Sequence, residues 1–153
     1  MRIIILLLAI LFILPSTAQA KCYSPAQAQA EQAIKIHSEL MVIGLNCQHM
    51  TPAGWQNFYT QYRSFSQKNS ALFSGYDQTM KSYFGANADK KLHAMRTQFA
   101  NKISSDIARM RPDVFCSTYA PRIPQVANMS RGELVQWITS SAQSQALSRP
   151  LCN

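Results

Sequence analysis

Valine is almost absent from this chain of 153 residues, occurring only as Val42, Val114, Val126 and Val135. A sequence so poor in valine and so rich in alanine and glutamine does not build a large sheet. Glycine is scarce as well, with five residues, and none of them forms a G-x-S-x-G elbow or a phosphate-binding loop. There is no H-E-x-x-H, no C-x-x-C and no C-x-x-C-H haem attachment. Seven acidic residues stand against fifteen Lys and Arg. The acids are scattered, so no carboxylate pair for glycoside hydrolysis can be nominated. No apolar run approaches the roughly 18 residues that a membrane-spanning helix needs.

What is present is a basic chain, with a formal net charge of +8 and 47% apolar residues. That apolar content excludes a disordered tail, and the length sets the expectation at one domain. Arg2 precedes twelve uninterrupted apolar residues, 3–14, which Pro15 and Ser16 end; Ala18-Gln19-Ala20 then offers small residues to a signal peptidase. This pattern predicts a signal peptide over 1–20, a single helical domain over 21–153, and a periplasmic or secreted location. Lys21 before Cys22 speaks against lipidation, and after cleavage no segment spans a membrane. An even set of cysteines in an exported chain, Cys22, Cys47, Cys116 and Cys152, reads as two disulfides.

Helical periodicity dominates the remainder. Ser24 and Pro25 mark an N-cap and first turn, and Ala26, Ala30, Ala33, Ile34, Leu40, Met41 and Gly44 fall in one arc, predicting a helix over 25–44. After Thr51-Pro52, the residues Trp55, Phe58, Tyr59, Tyr62, Phe65, Leu72 and Phe73 share a face that continues in phase through Phe84. Ser74-Gly75 is the expected breaking point, giving a long helix to 73 and a short one over 76–84. Leu92, Met95, Phe99, Ile103, Ile107 and Met110 predict a helix from 88 to 110. The prolines at 112, 121 and 124 predict a loop over 111–129 with one turn near Phe115-Cys116. Ser130 and Glu133 make a capping box for a last helix. The expected fold is all-α: an up-down bundle of four main helices plus a short one, cross-linked by two disulfides.

Helix 1 is about 30 Å long and bridged Cα atoms lie within about 7 Å, so Cys22 and Cys47, which flank it, cannot pair. A break near Gly75 predicts Cys47–Cys116 with Cys22–Cys152. A break near Ser66 predicts Cys22–Cys116 with Cys47–Cys152.

His37 interrupts the apolar arc of helix 1, Arg96 and Asp106 fall within that of helix 4, and Asn69 interrupts the aromatic face. Where these faces meet, the four residues can make one buried polar network. A structural network is the plainer meaning; the sharper one is a proton-transfer or ligand site around His37. Cys47-Gln48-His49-Met50, with Met41, His93 and Met95 as helpers, has the soft donors of a copper site, against which stands the expected oxidation of Cys47. Lys91, Lys102 and Arg109 align along helix 4, with Lys90 beside them and Arg111 just beyond, as a basic surface for anionic partners or a solvated flank.

The stretch Glu39-Leu40-Met41-Val42-Ile43-Gly44-Leu45-Asn46-Cys47, with Phe115-Cys116 after a long helix, resembles small exported four-cysteine helical proteins of bacteria. That resemblance implies a periplasmic, disulfide-bonded helical protein and carries over no functional residues. The leading expectation is a non-catalytic exported binding protein with a basic surface, engaging an envelope protein or an anionic surface. No cofactor and no sequence-specific nucleic-acid partner are expected. The alternatives are a small periplasmic enzyme or ligand-binding protein around His37, and soft-metal binding.

Overall fold

The computed structural model describes residues 22–152; the expected signal peptide, 1–20, lies outside the described residues. The fold is all-α. In chain order it contains α1 (Pro25–Cys47), a 3-10 turn (Gln48–Met50), α2 (Phe58–Lys68), α3 (Ser70–Phe84), α4 (Ala88–Arg109), α5 (Pro112–Tyr119), α6 (Arg122–Ala127) and α7 (Arg131–Ser144). Among the described residues the one extended pairing is a single bridge between Tyr23 and Leu151.

α1 is the central helix and touches every other helix. Ser24 caps it: its hydroxyl accepts from the Gln27 backbone N–H, and the Gln27 side chain accepts from the Ser24 N–H. Two free backbone donors are thus satisfied at once, with Pro25 occupying the first turn where no N–H is needed. The helix runs one turn past Gly44 to Cys47. Burial on several sides brings in even Glu31 and Gln32, whereas Ala26 and Met41, placed in the core by helical projection, are exposed. Gly44 earns its place by contact. A Cβ there would lie 3.4 Å from both the Tyr59 Cα and the Tyr62 Cβ, so its absence lets α2 approach closely.

The aromatic rod differs from expectation at both its start and its break. Helix α2 begins at Phe58, because Asn57 caps it by accepting from the N–H groups of Tyr59 and Thr60. Trp55 therefore sits in the preceding loop. The break falls at Asn69, whose side chain donates to the Phe65 carbonyl, while Gly75 lies inside α3. A short amide that bonds its own backbone competes with helical continuation more strongly than a glycine that merely tolerates it. The break bends the rod without reversing it. Tyr59 and Tyr62 face Gly44 at one end of α1, and Tyr23 meets Tyr83 at 4.9 Å at the other. The rod therefore runs antiparallel to α1 throughout.

This preserved direction decides the disulfides. Cys47 bridges Cys116 and Cys22 bridges Cys152, with Cα separations of 5.5 and 5.0 Å. The alternative pairing required a reversal near Ser66, which does not occur. α1, the α2–α3 rod and α4 alternate in direction. α7 lies against the N-terminal half of α1, where Gln29 donates to Thr139 and Lys35 to Gln145.

Residues 111–129, expected as a loop, form α5 and α6. Pro112 opens α5 at its first position and Pro124 falls in the first turn of α6, both sites where a missing N–H costs nothing. Phe115, Cys116, Ala120, Ile123 and Val126 are buried beneath them. Their three-to-five-residue spacing is the signal that the prolines obscured. The capping box of Ser130 and Glu133 is present, with Ser130 N–H donating to Glu133 Oε2 at 2.7 Å.

Candidate functional site

His37 is half-buried between α1 and the rod. Its Nε2 lies 2.8 Å from the Ser66 hydroxyl and 3.3 Å from that of Tyr62, and its ring packs on Phe73 with centroids 4.4 Å apart. Burial, seconded by the nearby Arg96 guanidinium, lowers its pKa from 6.5 to about 4. The ring is therefore neutral at physiological pH. A serine hydroxyl on an imidazole nitrogen is the starting geometry for nucleophile activation. Here the same nitrogen also meets Tyr62, and so low a pKa makes the ring a weak base. Its plain effect is to tie α2 to α1.

Arg96 shares a groove of about 410 Å³ with His37, Met41 and His93, and it forms a 2.5 Å ion pair with Asp77 of α3. Asp77 and Ser66 were not singled out from sequence. Both lie on the rod's polar edge, and only the packing of the rod on α1 and α4 reveals them. The other two expected members lie elsewhere. Asn69 is engaged at the kink, and Asp106 accepts from the Tyr119 hydroxyl at 2.9 Å. Ten residues of helix separate Asp106 from Arg96, about 15 Å, too far for one network. The four residues thus split into a His37–Arg96 groove and two local contacts.

Of the expected soft-metal set, Cys47 is oxidised to Cys116, while Met41 and His93 line one groove.

Lys90, Lys91, Lys102, Arg109 and Arg111 are all exposed, as the line along α4 requires. Lys91 donates to the Phe84 carbonyl, and Arg111 grips Asp113 through two bonds. All seven carboxylates are engaged within the fold. Glu39 pairs with Arg122, Asp77 with Arg96, Asp89 with Lys81, and Asp113 with Arg111. Asp106 takes the Tyr119 hydroxyl, Glu133 the Ser130 N–H, and Glu31 the Ser148 N–H. Four of the seven are thus paired with cations and three with neutral donors, and neither arrangement changes the net positive charge of the chain.

A second feature escaped the sequence reading. Six large hydrophobic residues are exposed among those described: Leu45, Met50 and Val114 lie within three residues of Cys47 or Cys116, Trp55 lines a groove with Cys116, Met41 lines the His37–Arg96 groove, and Leu151 lies in the tail. Trp55 is the most exposed at 56%. It is presented by a tight turn in which its N–H donates to the Pro52 carbonyl, with Gly54 at φ +80°. That positive φ is the third-position requirement of a type II turn, which a glycine meets without strain. The turn is anchored from behind: Thr51 Oγ1 donates to the Gln48 carbonyl and accepts from the Phe58 N–H, while the Asn57 amide donates to Gln48 as well. Beside Trp55 lies an apolar groove of about 320 Å³ walled by Met50, Pro52, Phe58, Cys116, Pro121 and Pro124. Projection placed Trp55 in the aromatic core stripe because it is in phase with the helix that follows it.

No protein-family model matches the chain, and neither does any curated protein or solved structure.

Proposed function

We propose that the protein is a non-catalytic exported interaction module that engages its partner through the Cys47–Cys116 pole. The observation that carries this reading is the exposure of Leu45, Met50, Trp55 and Val114 near the Cys47–Cys116 bridge, with Met50 and Trp55 walling one apolar groove. Apolar side chains from three separate segments lose about 25 cal/mol per Å² of favourable burial while they stay in water. Exposed apolar side chains beside a shared apolar groove mark a contact surface. The disulfide holds α5 against the end of α1, so the surface is arranged before any partner arrives and little ordering entropy is lost on contact. Export is supported by the signal-like segment over 1–20 and by two disulfides, which persist in oxidising compartments. The expected location is accordingly the periplasm or the exterior.

Site-specific photocrosslinking in the exporting cell tests the reading. A photoreactive residue at position 45, 55 or 114 should give adducts, and one at 151 on the opposite pole should not. Mass spectrometry then reports whether each adduct is protein or lipid. Clean, unmodified chain at all three positions overturns the proposal.

A further inference from the structure

We infer that the Cys47–Cys116 pole docks on an anionic phospholipid bilayer, with Trp55, Met50 and Leu45 immersed at the interface and unneutralised lysines and arginines facing the headgroup phosphates. This names the partner class for the interaction reading above and rests on it.

Charge complementarity is the first support. The chain holds fifteen Lys and Arg against seven Asp and Glu, and four of those acids are bound to four of the cations. Arg63 and Lys68 of α2, and Lys102 and Arg109 towards the end of α4, remain exposed. Lys68 lines a groove together with Trp55 and Phe65. α4 ends at the same pole, since Asp106 bonds Tyr119 of α5 and α5 carries Cys116. Cations thus flank the apolar cap from two helices. This pairing of apolar side chains with basic ones binds membrane interfaces, where each basic residue near the surface adds to the attraction of anionic lipid.

The groove's lining is the second. An extended peptide is held chiefly through its backbone, which needs a row of donors and acceptors along the wall. Three of the residues here, Pro52, Pro121 and Pro124, have no N–H to offer. The hydroxyl of Ser117, also in the lining, already donates to the Val114 carbonyl. A hydrocarbon chain asks for none of these bonds, so the wall suits an acyl segment better than a peptide.

Third, the most exposed residue of the cap is a tryptophan on an anchored turn. Tryptophan, with an apolar body and one N–H, settles at the headgroup level of a bilayer.

The test uses the oxidised protein with Trp137→Phe, which leaves Trp55 as its one tryptophan, and vesicles of equimolar phosphatidylglycerol and phosphatidylethanolamine beside vesicles of phosphatidylcholine alone. Binding to the anionic vesicles should exceed that to phosphatidylcholine by about 100-fold and fall about 10-fold or more from low to high salt. Trp55 emission should shift to the blue and become shielded from iodide on binding. Trp55→Ser should weaken binding by about 10-fold with unchanged circular dichroism. Absent binding, equal binding to both vesicles, or anionic binding that leaves Trp55 open to iodide each overturns the bilayer inference. If vesicles fail while crosslinks at 45 and 55 capture a protein, the bilayer falls and the interaction module stands. If crosslinks fail as well, both fall.

Discussion

The two disulfides sit at opposite poles and serve opposite ends. At the Cys22–Cys152 pole the polar groups of Tyr23 are consumed. Tyr23 is 1% exposed; its N–H donates to Pro150, and its carbonyl accepts from the Cys152 N–H. Its hydroxyl lies 3.0 Å from that of Ser148, which in turn bonds the buried Glu31 carboxylate. Burial, more than any other cause, raises the Tyr23 hydroxyl's pKa well above its ordinary value. The tail is tied down through Ser148, Pro150 and Cys152 while Leu151 stays 48% exposed. At the Cys47–Cys116 pole the sulfurs are buried, yet the residues around them project apolar side chains into water. One bridge seals a terminus; the other braces a surface. A disulfide fixes two points of backbone, and the neighbouring side chains decide whether that rigidity closes a core or holds a contact face ready.

The largest expected effect comes from removing both braces. Closing loops of 69 and 130 residues is worth on the order of 4–5 kcal/mol each in the chain-entropy model. Reduction should therefore lower the melting temperature by at least about 10 °C, read by circular dichroism with and without reductant. An unchanged melt would remove the structural role of both bridges. The poles themselves are then compared by truncating one aromatic at each. Tyr23→Ala at the closed pole should cost about 3–5 kcal/mol in urea unfolding, whereas Trp55→Ala at the open pole should change stability by less than about 0.5 kcal/mol. Similar costs for the two would erase the contrast.

Between the poles, His37 supplies a pH dependence. Its folded pKa of about 4 lies below the ordinary 6.5, so the unfolded chain binds the extra proton over that interval. Stability contributed by the neutral ring is fully present above about pH 6.5 and is lost as pH falls towards 4, by up to about 3 kcal/mol. His37→Gln should flatten this limb of the stability–pH curve while keeping a hydrogen bond to Ser66. A variant that loses stability over pH 6.5–4 as steeply as the parent would assign the limb to another group. The smallest change expected is a gain. Gln32 is wholly buried and neither its amide nitrogen nor its oxygen has a hydrogen-bond partner. Gln32→Leu, similar in volume and without polar atoms, should stabilise the closed half by about 1–2 kcal/mol, measured by denaturant midpoint. A loss would show that the amide is satisfied in solution.

The site was legible only in fragments. His37 and Arg96 stood out because a polar residue inside an apolar arc is visible from periodicity, and they do share a groove. Asn69 and Asp106 satisfied the same criterion but belong to other contacts, because a helical projection gives angle around the axis and not height along it. Trp55 was hidden by being in phase. The loop that carries it is defined by the Asn57 cap and the positive φ of Gly54, local features that outweigh an aromatic stripe. α5 and α6 were hidden by prolines that happen to fall where helices tolerate them.

Composition and periodicity alone determined the all-α class, the Ser24 cap, the Ser130–Glu133 capping box and the separation of Cys22 from Cys47, because each follows from hydrogen bonds and distances within one short segment. Tertiary structure decided the place and meaning of the rod's bend, and with them which cysteines meet. It also decided which apolar residues are left facing water. Those outcomes depend on how far one helix is slid and tilted against another, a sum over many small contacts that no single segment contains.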